Sequence, residues 1–161
     1  MRWLKKQPFV DSNQSALIGW SNGGSSLLWA IAKKPNYLPV DLGSDFKIAI
    51  AVYPGCNSAE RAKHWVNRLP FEIHIGESDD WASPVQYQNL VKKSDTHVSK
   101  IVLYPEAHHD FDAPNLPMMT KRNLAYPTKH GNFATIGTHE KARHDLMKNI
   151  LGKLKAELIE R

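Results

Sequence analysis

Three short stretches carry the residues best suited to chemistry, and they lie far apart in the chain. The first is "GWSNGG", residues 19–24, where Ser21 stands between Gly19 and Gly23 with an apolar run before it and a helix-like run after it. A serine hydroxyl becomes a useful nucleophile only when it is held clear of its surroundings and supplied with a base. A strained strand-to-helix turn meets the first need, and small residues at Gly19 and Gly23 would let that turn close without Cβ clashes. Ser21 at a helix start also leaves the backbone N–H of Asn22 free to stabilise an oxyanion. The second stretch, "ESDDWASP", offers Asp79 and Asp80, and the third, "EAHHDFD", offers His108 and His109. Taken along the chain, the order is nucleophile, acid, base, one of the orders in which a Ser-His-Asp triad is built. The competing reading of the first stretch is a glycine-rich turn whose serine merely caps a helix. The ordered partners favour the nucleophile.

These side chains need a scaffold that brings them together. A short apolar strand over 15–18 runs straight into the turn, and a helix over 25–33 leaves it, stopped before Pro35. Residues 2–7 read as the end of a helix closed by Pro8, and 34–45 as a loop broken by Pro35, Pro39 and Gly43. Strands are expected over 46–53, 71–76 and 100–104, with helices over 58–64 and 84–93 between them. The segment 105–137, with four prolines, reads as irregular. A last helix then carries Ala142, Leu146, Ile150, Leu154 and Leu158 as one apolar stripe at steps of four. Strands alternating with helices imply a parallel sheet covered on both faces. In such a sheet the loops after the strands share one edge, so Asp79 or Asp80 and His108 or His109 would meet the serine there. The 161 residues are enough for one domain with a real core and not for two.

Composition narrows the function classes. Apolar residues make up 42% and charged residues 23%, as in an ordinary globular protein. The net charge of +5 comes from scattered lysines and arginines with no aromatic-interleaved basic stripe, which argues against a nucleic-acid partner. No run of about 18 apolar residues offers a membrane span, and "MRWLKKQPFV" lacks the apolar core of a signal peptide, so the expected location is the cytoplasm. A single cysteine, Cys56, allows neither an internal disulfide nor a multi-cysteine zinc site in these residues. It reads as a packing residue near the site. The cluster "HHDFD" could suggest a metal, but ligands crowded into five residues rarely converge on one ion, so none is expected. His74 reads as a buried strand histidine, and His139 and His144, five apart, do not share a helix face. Trp20 and Trp81, beside the serine and the acid, are candidate walls of a substrate pocket, with core packing the other reading.

Four segments, "PFVDSNQSALIGWSNGGSS", "IGESDDWASP", "LYPEAHHDFDAP" and "ATIGTHEKARHD", resemble the dienelactone hydrolase family of the α/β-hydrolases over nearly the whole chain. The resemblance implies a three-layer α/β fold, with Ser21 as nucleophile, Asp79 as acid and His109 as base. It further implies cleavage of small carboxylic esters or lactones through an acyl-serine, without cofactor or metal. Asp80 and His108 stand as the alternatives one residue away. Two departures matter. The namesake enzymes carry cysteine where this chain has Ser21, and serine requires full general-base help and suits ordinary ester hydrolysis. They also hold a substrate carboxylate with an arginine a few residues past the histidine, where this chain has Asp112 and Ala113. That argues against dienelactone itself.

About four strands precede the nucleophile strand in that family, and a loop among them supplies a second oxyanion N–H. Here only a helix end and one strand precede Ser21. The expectation is therefore the C-terminal part of a hydrolase, short of its N-terminal strands and of half its oxyanion hole. Its nucleophile strand would be a bare sheet edge inviting self-association. Residues 1–161 alone should then have little esterase activity. The competing class is a folded remnant that binds or pairs without catalysing.

Overall fold

The computed structural model describes residues 3–33, 46–55, 59, 61–62, 65–93, 99–126, 128 and 131–159. Cys56, the loop 34–45 and most of the expected helix 58–64 lie outside the described residues.

Four strands, β1 (Ala16–Trp20), β2 (Ile48–Val52), β3 (Phe71–Gly76) and β4 (Ser99–Tyr104), form one parallel sheet in the order β1-β2-β3-β4. Strands buried on both faces read as continuous apolar runs. This explains why "IAIAV" in β2 is apolar throughout, whereas "FEIHIG" in β3, though also buried at every position, alternates because Glu72 and His74 have polar neighbours on one face. Helix α1 (Asn22–Ala30) follows β1, helix α2 (Pro84–Lys93) lies between β3 and β4, and helix α3 (Glu140–Leu158) closes the described chain. Among the described residues β1 pairs on one side only and is an edge. No helix among them is long and apolar enough to cross a membrane.

Side-chain parity on β3 shows that helices cover both faces of the sheet. Successive residues of a strand point to opposite sides. Phe71 meets Trp65 edge-on with ring centroids 5.7 Å apart, and the Trp65 indole N–H donates to the Leu28 carbonyl of α1 at 3.0 Å. Glu72 and His74, on the other side, face α3. Lys153 Nζ lies 3.5 Å from Glu72 Oε1. Asn149 Nδ2 donates at 3.2 Å to the Tyr104 hydroxyl, which sits 2.8 Å from His74 Nδ1. This is the three-layer α/β arrangement expected of the sequence.

Several elements differ from the sequence reading. The first turn is a 3₁₀ helix, Leu4–Lys6. The helix after the serine begins at Asn22 rather than 25, because the turn itself starts it. The irregular segment contains an antiparallel hairpin, β5 (Met119–Arg122) with β6 (Phe133–Ile136), in which Met119 faces Ile136. β5 is exposed at all four positions, so it carries no apolar alternation to betray it. In α3 the stripe behaves as expected: Ala142, Leu146 and Ile150 are buried.

Candidate active site

The turn after β1 is built by strain and by glycine. Ser21 has φ 45° and ψ −116°, a left-handed conformation unfavourable for any residue with a Cβ. Its N–H donates to the Val52 carbonyl at 2.9 Å, and its carbonyl accepts from the Ser25 N–H at 2.9 Å. The chain thus leaves the sheet and enters α1 without a break. A Cβ on Gly19 would fall 2.6 Å from the Gly23 backbone, and one on Gly24 would fall 2.9 Å from Pro54 Cβ. A Cβ on Gly23 would meet nothing within 4 Å. The pair that lets the turn close is therefore Gly19 and Gly24, not Gly19 and Gly23, because it is Gly24 that faces the loop after β2. As the first helical residue, Asn22 has an N–H without a partner inside α1.

The acid turn after β3 and the loop after β4 are zipped together. A Cβ on Gly76 would fall 2.0 Å from the Ala107 carbonyl oxygen, so only glycine permits this approach. Across it the Glu77 N–H donates to the Tyr104 carbonyl at 2.9 Å, and the Ser78 N–H to the Ala107 carbonyl at 3.0 Å. Asp79 and His109 emerge facing each other, both buried. Asp79 Oδ2 lies 2.8 Å from His109 Nδ1, while Oδ1 accepts the N–H groups of Trp81 (2.9 Å) and Ala82 (2.8 Å). A carboxylate so occupied only accepts, so the imidazole proton sits on Nδ1 and Nε2 is left as an acceptor. Nε2 lies 3.2 Å from Ser21 Oγ. The loop is held from behind by Gly137 N–H to His109 O (3.2 Å) and His139 N–H to Phe111 O (2.9 Å).

Aromatic rings wall the imidazole. The Tyr53 ring centroid lies 4.4 Å from that of His109, and the Trp81 centroid 4.7 Å from it, with Lys121 Nζ 5.3 Å from the Trp81 ring. Trp20, still 39% exposed, turns its indole N–H onto Asp112 Oδ2 at 2.7 Å. Asp112 Oδ1 accepts from the Tyr53 hydroxyl. Burial first, then the hydrogen bond to Asp112 and the charge of that carboxylate, push the Tyr53 phenol well above its ordinary range. It therefore stays a protonated donor at physiological pH.

The structure thus brings Ser21, Asp79 and His109 together and leaves their neighbours elsewhere. Asp80 accepts from Thr135 N–H (2.8 Å) and its hydroxyl (2.9 Å), tying the acid turn to β6. His108 Nδ1 is buried with no hydrogen-bond partner in the described residues. His139 caps α3, accepting from Ala142 N–H at 3.2 Å, and His144 is exposed. His74 is buried against Tyr104. No group of three or more His, Cys, Asp or Glu gathers as a metal-holding cluster among the described residues. Sequence reasoning missed Tyr53 and treated Asp112 only as an absent arginine. Nothing local in "VYPG" or "FDAP" signals that the two meet across the sheet.

A parallel sheet with a serine on a strained strand-to-helix turn, and an acid and a histidine on the loops after β3 and β4, defines an α/β-hydrolase. The chain belongs to the prolyl oligopeptidase family, peptidase family S9, which matches residues 1–156. No curated protein matches it. Among solved structures it is similar to a carboxylesterase from Lactobacillus plantarum, with 15% identity and a TM-score of 0.63 over 99% of this chain and 66% of that one. It is also similar to a candidate dienelactone hydrolase from Klebsiella pneumoniae, with 18% identity and a TM-score of 0.58 over 89% of this chain and 52% of that one. Esterase 2 of Thermogutta terrifontis, in a form phosphoramylated by tabun, gives 13% identity and a TM-score of 0.53 over 90% and 55%. The chain therefore spans about half to two thirds of the length of these proteins. At such identities the likeness is one of fold, and at that level the resemblance to dienelactone hydrolases holds.

Proposed function

We propose that this chain carries the catalytic residues of a serine hydrolase that cleaves carboxylic esters or lactones. The observation that carries the reading is the relay from Ser21 Oγ to His109 Nε2 (3.2 Å) and from His109 Nδ1 to Asp79 Oδ2 (2.8 Å). In this mechanism Nε2 takes the serine proton as Oγ bonds to the carbonyl carbon. The oxyanion that forms is met by the Asn22 N–H at the start of α1. Collapse breaks the bond to the leaving oxygen, which departs as an alcohol carrying the proton from Nε2. Water then repeats the cycle on the acyl-serine, releasing the acid and restoring Ser21. Asp79 fixes the tautomer throughout. Trp20 and Trp81 flank the opening where a substrate would lie. No step requires a metal or cofactor.

Family membership favours a second reading of the same site, in which the bond cleaved is a peptide bond and the leaving group an amine. The mechanism is unchanged except that Nε2 must protonate a far poorer leaving group. Residues 1–161 are read as one partial α/β-hydrolase domain. With β1 unpaired on its outer side among the described residues and one oxyanion donor assigned, its own turnover is expected to be low and self-association to accompany it. The test compares p-nitrophenyl acetate with a peptide p-nitroanilide, each against a Ser21→Ala control. Ester turnover above the control with no anilide turnover supports the first reading, and anilide turnover above the control supports the second. Tight self-association with no serine-dependent turnover or acylation would favour a non-catalytic pairing module.

A further inference from the structure

The serine and the histidine reach each other from distant strands. Ser21 follows β1, at one edge of the sheet among the described residues, and His109 follows β4, at the other, with β2 and β3 between them. One contact of 3.2 Å joins the two side chains directly. A hydrogen bond of that kind contributes about 1 kcal/mol net, too little to fix the relative position of two loops. Something else must hold them.

We propose, on the reading above of Ser21 and His109 as nucleophile and base, that Asp112 is a positioning residue. Its carboxylate locks the nucleophile's strand and the end of β2 to the loop that carries the base.

Each carboxylate oxygen of Asp112 has its own donor. Trp20, the residue before Ser21, gives its indole N–H to Oδ2 at 2.7 Å, and Tyr53, the residue after β2, gives its hydroxyl to Oδ1. Hydrogen bonds to an ionised acceptor are about twice as strong as neutral ones. Asp112 is itself anchored, because its backbone carbonyl accepts from Arg143 Nε of α3 at 3.1 Å. Two segments thus converge on one side chain three positions after His109, and a third, α3, holds its backbone.

Tyr53 shows that the arrangement is enforced. Its φ of 34° is a left-handed conformation that a bulky residue avoids, and such strain persists only where the surroundings over-determine it. Here the Tyr53 N–H is held by the His74 carbonyl at 2.7 Å and its hydroxyl by Asp112. Between these two ties its ring packs on His109 at 4.4 Å and edge-on to Phe111 at 5.6 Å. Asp112 thereby acts on the base through Tyr53 and on the nucleophile through Trp20. With both oxygens engaged, it is a brace rather than a ligand for substrate.

The experiment uses the 161-residue chain and a fluorophosphonate, whose attack on serine separates into a saturating rate constant and a half-saturating concentration. Asp112→Ala is expected to lower the rate constant about ten- to a hundredfold, the scale of a 1 Å misplacement, with a much smaller change in half-saturation. Asp112→Asn, which keeps one acceptor oxygen, should recover part of the loss. Tyr53→Phe combined with Asp112→Ala should be little worse than Asp112→Ala alone, because both remove the same link. The downfield indole N–H resonance of Trp20, assigned with Trp20→Phe, should move in Asp112→Ala. Unchanged acylation in Asp112→Ala, or fully additive losses in the double variant, would overturn the proposal. If Ser21→Ala is labelled like the parent, the hydrolase reading fails. The brace then stands or falls on whether the Trp20 resonance moves.

Discussion

The two ends of the sheet are built to different standards. At the β3–β4 end every residue of Phe71–Gly76 is buried, and the loops that follow are sewn together across Gly76 by backbone hydrogen bonds. Asp79 and His109 are set there largely by local packing. At the β1 end the strand pairs on one side only among the described residues, Ala16, Leu17 and Ile18 are only half-buried, and Trp20 is exposed. Ser21 owes its own conformation to the turn, but its distance from His109 depends on links that cross the sheet. The Asp79–His109 pair is thus robust by construction, and the alignment of Ser21 with it is the weak joint.

Substitutions at the two ends should therefore differ in kind. The largest effect is expected at the well-built end: Asp79→Asn should lower the rate of Ser21 acylation by several powers of ten, through the wrong imidazole tautomer. Asp80→Asn should cost little in rate, because Asp80 only ties the acid turn to Thr135. Comparable losses in the two variants would put the acid one residue away from Asp79.

Glycine replacements sharpen the contrast. Gly76→Ala must force the Ala107 carbonyl away from a Cβ 2.0 Å distant, and should destabilise by about 3 kcal/mol or more in urea unfolding. Gly23→Ala meets open space inside α1, and should be neutral or stabilising by up to about 1 kcal/mol. A large loss from Gly23→Ala would restore the original reading of the turn and contradict the geometry described above.

A smaller effect concerns pH. Burial alone would raise Glu72, but the neighbouring His74 imidazole, 3.5 Å away, and the charge of Lys153 outweigh it and hold the carboxyl below its ordinary value. A carboxyl depressed on folding adds stability that is present above its unfolded pKa and is lost as pH falls through the folded one. Glu72→Gln should therefore flatten the loss of stability on acidification below the ordinary glutamate range. The effect should be no more than about 1 kcal/mol, since Lys153 is partly solvated.

Much of this was legible from the chain because the signals are local. β3 and α2 fall on the residues that alternation and helical spacing assign, and the stripe on α3 buries Ala142, Leu146 and Ile150. The serine, acid and base stretches are likewise local, each tied to a turn after a strand. What escaped depends on contacts between distant segments. Gly24 rather than Gly23 matters because Pro54 approaches it, and Tyr53 and Asp112 acquire their roles only once β2 and the β4 loop are side by side. The β5–β6 hairpin escaped for another reason: Met119–Arg122 is exposed throughout, so no buried face imprints a period on it.

The central claim is that Ser21, activated by His109, is the nucleophile of this chain. It is tested most directly by treating the purified protein with a fluorophosphonate and mapping the adduct by mass spectrometry. The account predicts a single adduct on the peptide that contains Ser21, absent in Ser21→Ala and formed far more slowly in His109→Ala. An adduct on any other residue, or undiminished labelling of Ser21→Ala, would contradict it.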